Sequence, residues 1–401
     1  MDEGTSTQIG PVPVTERITV IDCLRGAALF GILMANMRGF HAPIASYIRL
    51  NAWTWMPDRV TQALVDWLIS GKFITIFAVL FGIGFAVQID RAAARGQGFG
   101  FFTRRMRMLL LIGLAHSFLL WWGDILVTYA ICGMFLIVFR DVSQRGVLLC
   151  AHALYWLVVV LFVGFYIGTF FGASLPPDEP NDIQKTIQAY AHGTIGQVFA
   201  MRLDEWIDVN AFFPVVATRV LGMFLYGVYL WRQGYLARPE EHLDWWRRGL
   251  WIGLPVGLIG NALSVWLEWH FHPDPDKPTL VTSIMVVLQS IAMPALSLAY
   301  GATIILLWQQ AAWRQRLMPL SFVGRMALTN YLLQSLIFTT VFYSYGLGLY
   351  GRAGPLVDVP LAIVVYSLQI PFSMWWLKTH RYGPMEWVWR RLTYGPIASA
   401  A

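Results

Sequence analysis

The feature that most constrains this chain is a succession of ten apolar runs, near residues 18–38, 66–89, 107–122, 124–139, 147–173, 211–231, 249–269, 281–308, 326–345 and 356–377. The hydrocarbon core of a bilayer takes roughly 20 apolar residues of helix, and the short run at 124–139 still fits if it stands upright. No water satisfies backbone amides inside lipid, so a spanning segment closes its hydrogen bonds as a helix or within a closed barrel. None of the runs alternates apolar and polar residues as a porin strand does. The expectation is an all-α, polytopic membrane helix bundle of about ten transmembrane helices.

Hydrophobic residues make up 57% of the 401 and charged residues only 13%, against roughly a quarter charged in a soluble domain. A net charge of +6 would suit nucleic acid if it formed a basic surface, but most of these charges sit in short connections between apolar runs. Basic residues placed that way set topology, and no nucleic-acid partner is expected. Arg91, Arg95, Arg104, Arg105 and Arg107 crowd the second connection, and basic groups recur at every second one after it: Arg140 and Arg145, then Arg232, Arg238, Arg247 and Arg248, then Arg314, Arg316 and Arg325. Lys378, Arg381, Arg390 and Arg391 close the series. These connections, and both ends of the chain, are assigned to the cytoplasm. The fifth connection, with Asp178, Glu179, Asp182, Asp204, Glu205 and Asp208, is assigned to the outer face. Arg38, Arg49 and Arg59, in the first outer connection, do not fit this scheme.

The chain therefore divides into a cytoplasmic tail (1–17), one transmembrane bundle (18–377) and a second cytoplasmic tail (378–401). Arg17 is the single basic residue before the first run, so that run is read as a retained anchor rather than a cleaved signal. Cys23, Cys132 and Cys150 lie in apolar runs without paired spacing and read as small core residues. The first outer connection, with Trp53, Trp55 and Pro57, and the fifth, where Ile183, Ile187 and Tyr190 recur at helical spacing, are expected to lie along the outer interface and roof a cavity.

Ionisable residues inside lipid are costly and each asks for a partner. Asp22 and Arg25, at i and i+3, are either an ion pair joining helices or a site where Arg25 holds an anionic ligand from the cytoplasm. Asn36, three turns on, is interhelical glue or a donor to a developing oxyanion. His116, followed by Asp124 at an abrupt turn, is either a satisfied core residue or a general base with a carboxylate to orient it. His41, just past the first run, is a second candidate base. Arg219 would pair with Asp124, Asp208 or a substrate anion. Asn330 and Gln334 share a helix face and read as glue first, substrate ligands second. Glu268, His270 and His272 alternate in a period that fits no single helix face, so no metal site is expected. No Walker loop, dinucleotide fingerprint, HExxH or GxSxG context is present, which removes the best support for ATP-driven transport or metalloproteolysis.

Several stretches carry a resemblance. They are Asp22-Cys23-Leu24-Arg25-Gly26 through Asn36, Gly71-Lys72-Phe73 followed by Leu80-Phe81-Gly82-Ile83-Gly84-Phe85, and His116 through Gly123-Asp124-Ile125-Leu126 with Tyr129-Ala130. Gly324-Arg325-Met326-Ala327-Leu328-Thr329-Asn330-Tyr331 through Gln334-Ser335, and Gly383-Pro384-Met385-Glu386-Trp387-Val388-Trp389-Arg390 with Leu392-Thr393-Tyr394-Gly395, complete the set. Together they resemble the YeiB-like family of bacterial inner-membrane proteins, the domain of unknown function four-one-eight, over essentially the whole chain. That family is distantly similar to the transmembrane acyltransferase superfamily, which passes an acyl group from cytoplasmic acyl-CoA to a hydroxyl or amine acceptor at the outer face.

In the sugar O-acyltransferase branch of that superfamily an Arg is followed eleven positions later by a His, and here Asn36 stands at that position. The heparan-sulfate acetyltransferase branch is similar in having Asn at this point and a reactive His in the next outer loop, which draws attention to His41. The YeiB-like motif itself carries its His in the third run, at His116. The resemblance implies a membrane acyltransferase, and the spacing supplies its candidate constellation: His116 as base, Asp124 as its orienting group and Asn36 as oxyanion donor. Arg25, Arg104 and Arg105 would receive the phosphates of acyl-CoA (acetyl-CoA among the options) as donor substrate, with no tightly bound cofactor. The acceptor would be a small molecule such as a sugar or cell-envelope metabolite. The alternative is a secondary transporter or exporter that uses the same polar groups without covalent chemistry. The oligomeric state is open, a homodimer being one option.

Overall fold

The computed structural model describes residues 18–43, 53–94, 99–170, 181–273 and 279–395. Arg49, Arg95, Asp178, Glu179 and the tail 1–17 lie outside the described residues, as do the last residues of the second tail. Among the described residues there are fifteen α-helices and no strand. They are α1 (Thr19–His41), α2 (Met56–Leu68), α3 (Lys72–Ala94), α4 (Gly100–Leu119), α5 (Leu126–Leu136), α6 (Gln144–Phe170), α7 (Asn181–His192) and α8 (Ile195–Asn210). There follow α9 (Phe213–Arg232), α10 (Leu243–Phe271), α11 (Leu280–Trp308), α12 (Ala311–Arg325), α13 (Ala327–Phe342), α14 (Pro355–Thr379) and α15 (Pro384–Tyr394).

Each of the ten apolar runs is thus a helix. Seven segments are long and apolar enough to cross a membrane: α1, the stretch from α2 through α3, α6, α9, α10, α11 and α14. α5 with the turn after it and α13 are apolar but shorter, and α4 carries Arg104, Arg105 and Arg107 in its first turns. The chain is a multi-pass membrane protein. Most spans turn apolar side chains outward, as at Trp251, Val160 and Leu368, because lipid on that side costs them nothing.

α1 is the exception and the centre of the bundle, with 67% of its spanning window buried, against 28–50% for the others. It touches α2, α3, α11, α12, α13 and α14. The contact with α12 is made backbone to backbone: a Cβ on Gly26 would collide with the Leu320 carbonyl, and one on Gly324 with the Asp22 carbonyl. Lipid tails supply no hydrophobic drive between helices, so close approach at small residues is what holds such a pair. α12 itself departs from the expectation of a plain connection at 309–325. Arg314 and Arg316 hide its apolar face from a hydropathy reading, yet they lie against Trp308 and Trp313, ring centroids 6.0 and 5.1 Å away.

The connections sort into two ends. Trp231 Nε1 donates to Asp90 (2.7 Å) and Arg232 donates to the carbonyls of Val142 (2.6 Å) and Arg140 (2.6 Å), gathering three of the basic connections. At the other end the Gly351 N–H donates to the His41 carbonyl (2.8 Å), Ser344 N–H to that of Tyr190 (2.6 Å) and Leu356 N–H to Asp58 (2.9 Å). α7 and α8 fold over that second end, where Tyr190 donates to Glu205 (2.6 Å) and buried Arg202 donates to the Phe118 carbonyl near the C-terminus of α4 (2.7 Å). Two of the misfit arginines are locally accommodated there: Arg59 lies over the Trp269 ring at 4.6 Å, and Arg38 shares a small cavity with Asp66 and Glu268.

Gly324→Val is expected to lower the unfolding temperature of the detergent-purified protein steeply, since overpacking a tight contact costs about 1–3 kcal/mol or more. Gly164→Ala, whose added Cβ meets nothing within 4 Å, should leave it unchanged or slightly higher. Equal behaviour of the two variants would show that the α1–α12 contact is not under packing constraint.

Candidate functional site

His116 lies in the last turn of α4, and the chain then breaks over Leu120–Ile125 before α5 begins. That break places Asp124 back beneath the imidazole. Nδ1 of His116 is 2.8 Å from Asp124 Oδ1, and both side chains are fully enclosed. The other carboxylate oxygen, Oδ2, accepts the Val127 N–H at 2.7 Å and so caps the first turn of α5. Asp124 is therefore fixed at both oxygens, and a carboxylate can only accept, so Nδ1 carries the proton. The opposite ring nitrogen, Nε2, lies 2.8 Å from Ser335 Oγ on α13. Tyr331, one turn before Ser335, packs its ring 5.1 Å from the imidazole, and Trp121 lies 6.5 Å away.

A cavity of about 330 Å³ lies at the basic end of the bundle, separated from this group by Tyr331, which lines the cavity and packs on His116. Its mouth carries Arg25, Arg91, Arg105, Arg325 and Arg390 against two carboxylates, Asp22 and Glu386. Deeper in, Leu29, Phe81, Met106, Leu109, Ile125 and Leu126 make it apolar, and Tyr129 and Tyr331 line it beside His116. The two readings of Asp22 and Arg25 coexist: the side chains pair at 2.9 Å, and both line the cavity. Arg105 lies flat on Trp389 of α15, 3.7 Å from the ring centroid, while Trp389 Nε1 donates to the Arg105 carbonyl at 2.9 Å. Glu386, also on α15, accepts from the Leu328 and Thr329 N–H groups (2.7 and 3.1 Å) and so caps the N-terminus of α13. Burial pushes its carboxyl above the usual carboxylate range, against the pull of those hydrogen bonds. The second tail is thus a wall of the cavity.

Other candidate residues fall elsewhere. Arg104, about 100° round the helix from Arg105, is exposed and outside the cavity wall. Asn36 is half-buried and, among the described residues, bonds to neither His116 nor Asp124 and lines neither cavity. Arg219 meets Tyr155, with Nη2 3.4 Å from its hydroxyl. Asn330 donates to Ser373 (3.0 Å), Gln334 donates to Gln369 (2.8 Å) and Gln369 donates back to the Asn330 carbonyl (3.0 Å), a closed seam between α13 and α14. That is the glue reading of both residues. His41 forms a second buried pair, Nε2 to Asp358 Oδ2 at 2.6 Å, at the opposite end of α1 from the cavity mouth. Glu268 lines a separate polar cavity of about 190 Å³ with Arg38, Asp66 and Gln289, whereas the His270 ring stacks on Trp266.

Sequence reasoning missed Ser335, Asp358 and the cavity arginines Arg91, Arg325 and Arg390 as site residues. Ser335 stands among apolar residues like any small interhelical residue, and its partner is 219 positions away. The arginines were legible as topology signals, and topology masked their convergence.

The family model described as a protein of unknown function, DUF418, matches residues 230–396. Over nearly the whole length the chain is 33% identical to the uncharacterized protein YxaH of Bacillus subtilis, with 97% of each covered. It is 29% identical to the uncharacterized protein YeiB of Escherichia coli, over 96% of this chain and 99% of that one. A protein of Bacillus acidopullulyticus is likewise 29% identical over 96% of both. With a shared length this complete and an all-helical membrane bundle to carry it, the chain belongs to the YeiB-like DUF418 family.

Proposed function

We propose that this protein is an acyltransferase of the bacterial inner membrane, with both chain ends and the cavity mouth in the cytoplasm. It takes its acyl group from acyl-CoA and delivers it to a hydroxyl or amine acceptor at the outer face. The observation that carries the reading is an apolar cavity ringed by arginines whose lining residue Tyr331 packs against the enclosed His116–Asp124 pair. Arginine forks suit phosphate oxygens, and five of them against two carboxylates give the mouth the sign an anionic nucleotide requires. The apolar interior suits the acyl chain and its linker. His116, with its tautomer fixed by Asp124, has Nε2 free of a proton and able to act as general base.

α7 and α8 fold over the end of the bundle opposite the cavity's arginines, a form that also suits an exporter. A buried imidazole beside the cavity would serve such an exporter as a proton relay. Purified protein in liposomes separates the two: an exporter moves its cargo without making a covalent product.

Titrating the purified protein with acetyl-CoA and longer acyl analogues should raise its unfolding temperature, because a ligand that binds only the folded state stabilises it by mass action. A flat response across the series would remove the acyl-CoA reading. Arg25→Ala combined with Arg105→Ala should weaken this stabilisation, and a smaller loss of it at higher salt in that variant would report the missing charges. In a product assay, His116→Ala and Asp124→Asn should each lower turnover about a hundredfold or more, while the thermal response to acyl-CoA is kept. Full activity in either variant sinks the assignment of the base.

A further inference from the structure

A serine or threonine inside a membrane helix ordinarily donates its hydroxyl to the carbonyl four residues back. This protein shows the habit repeatedly: Ser117 donates to Gly113 (2.9 Å), Ser290 to Val286 (2.7 Å) and Thr339 to Ser335 (2.8 Å). Ser335 keeps only a long version of that bond and lies closer to a second partner. Its oxygen is 3.4 Å from the Tyr331 carbonyl and 2.8 Å from His116 Nε2. Since Asp124 holds the Nδ1 proton, Nε2 is an acceptor, and Ser335 Oγ–H is the donor it meets. The proton that His116 is placed to take is therefore that of Ser335. We infer that Asp124, His116 and Ser335 form a nucleophilic triad in which Ser335 Oγ holds the acyl group as an ester between donor and acceptor.

The inference rests on the acyl-transfer reading for the identity of the donor, while the triad itself stands on the geometry. Such constellations are recognised by the roles and distances of their members, whatever their order in the chain. In the first half-reaction Oγ attacks the thioester carbonyl carbon as its proton passes to Nε2. The carbon–sulfur bond then breaks, and the departing thiolate takes that proton from the imidazolium, leaving an ester on Ser335. In the second half the acceptor hydroxyl or amine gives its proton to Nε2 and attacks the ester carbonyl. The Oγ–carbonyl bond breaks and Ser335 recovers the proton. Tyr331 stands between cavity and nucleophile: it lines the cavity and packs against His116, and its hydroxyl is held by the Gly123 carbonyl at 3.4 Å. A thioester in the cavity must therefore pass the Tyr331 ring to reach Oγ.

The test uses the full-length protein in lipid nanodiscs, with two probes. A small fluorophosphonate should label Ser335, located by peptide mass spectrometry. The label should vanish in Ser335→Ala and His116→Ala and fall at least tenfold in Asp124→Asn. Radiolabelled acetyl-CoA and longer acyl-CoA should leave an ester on Ser335 that survives neutral hydroxylamine. Ser335→Cys, which keeps the size and a nucleophile, should trap the same group as a thioester that neutral hydroxylamine removes. Fluorophosphonate labelling of Ser335 without acylation by any acyl-CoA upholds the triad and overturns acyl-CoA as donor. The triad falls if Ser335 resists fluorophosphonate in a protein that melts like wild type, if the acyl group appears on His116, or if Ser335→Ala transfers it at the wild-type rate.

Discussion

A polar side chain carried into the bilayer core must find its partner there, since the solvent offers none and leaving a buried donor or acceptor unmade costs about 1–3 kcal/mol, more for a charge. The arrangement around Asp124 follows from that demand. One carboxylate oxygen is spent on the imidazole and the other on the first turn of α5. The break between α4 and α5 exists at a place where its freed backbone groups can be met from within: the Trp121 N–H turns back to the His116 carbonyl (3.0 Å), and Arg202 reaches down to the Phe118 carbonyl (2.7 Å). The need to satisfy one buried acid thus fixes the direction of two helices, and through His116 it fixes the register of a third, α13.

The same demand divides the polar residues into two kinds. Asn330, Gln334, Gln369 and Ser373 bond one another across a seam between α13 and α14, with Asn330 Oδ1 left without a partner there. Three of the cavity arginines rest on aromatic faces, Arg105 on Trp389, Arg325 on Phe322 and Arg390 on Tyr382. Charge concentrated at the mouth of an apolar recess attracts an anion and then leaves its tail in surroundings that suit it.

The helical class, the location of all ten apolar helices and the sorting of basic connections to one end were legible in the sequence, because hydropathy and loop charge answer directly to the bilayer. The link between His116 and Asp124 was legible because both belong to one local turn. Contacts made across the bundle were not. Ser335 and Asp358 each meet a histidine hundreds of positions away, and no spacing rule announces such a meeting. Asn36 was expected to act as an oxyanion donor, but counting turns along α1 fixes only its height; among the described residues it bonds to neither His116 nor Asp124 and lines neither cavity. α12 was missed because Arg314 and Arg316, exposed and lying near the Trp308 and Trp313 rings, lower its hydropathy, while its buried contacts come from small residues such as Ser321 and Gly324.

The short helix α15 joins two things that the sequence keeps far apart. Through Trp389 and Arg390 it forms part of the mouth, and through Glu386 it clasps the N-terminal end of α13, the helix that bears Tyr331 and Ser335. It is an eleven-residue rod with a hand on each. One piece of chain is thus both cavity wall and helix cap, so a substitution that shifts α15 alters the entrance and the support of α13 together.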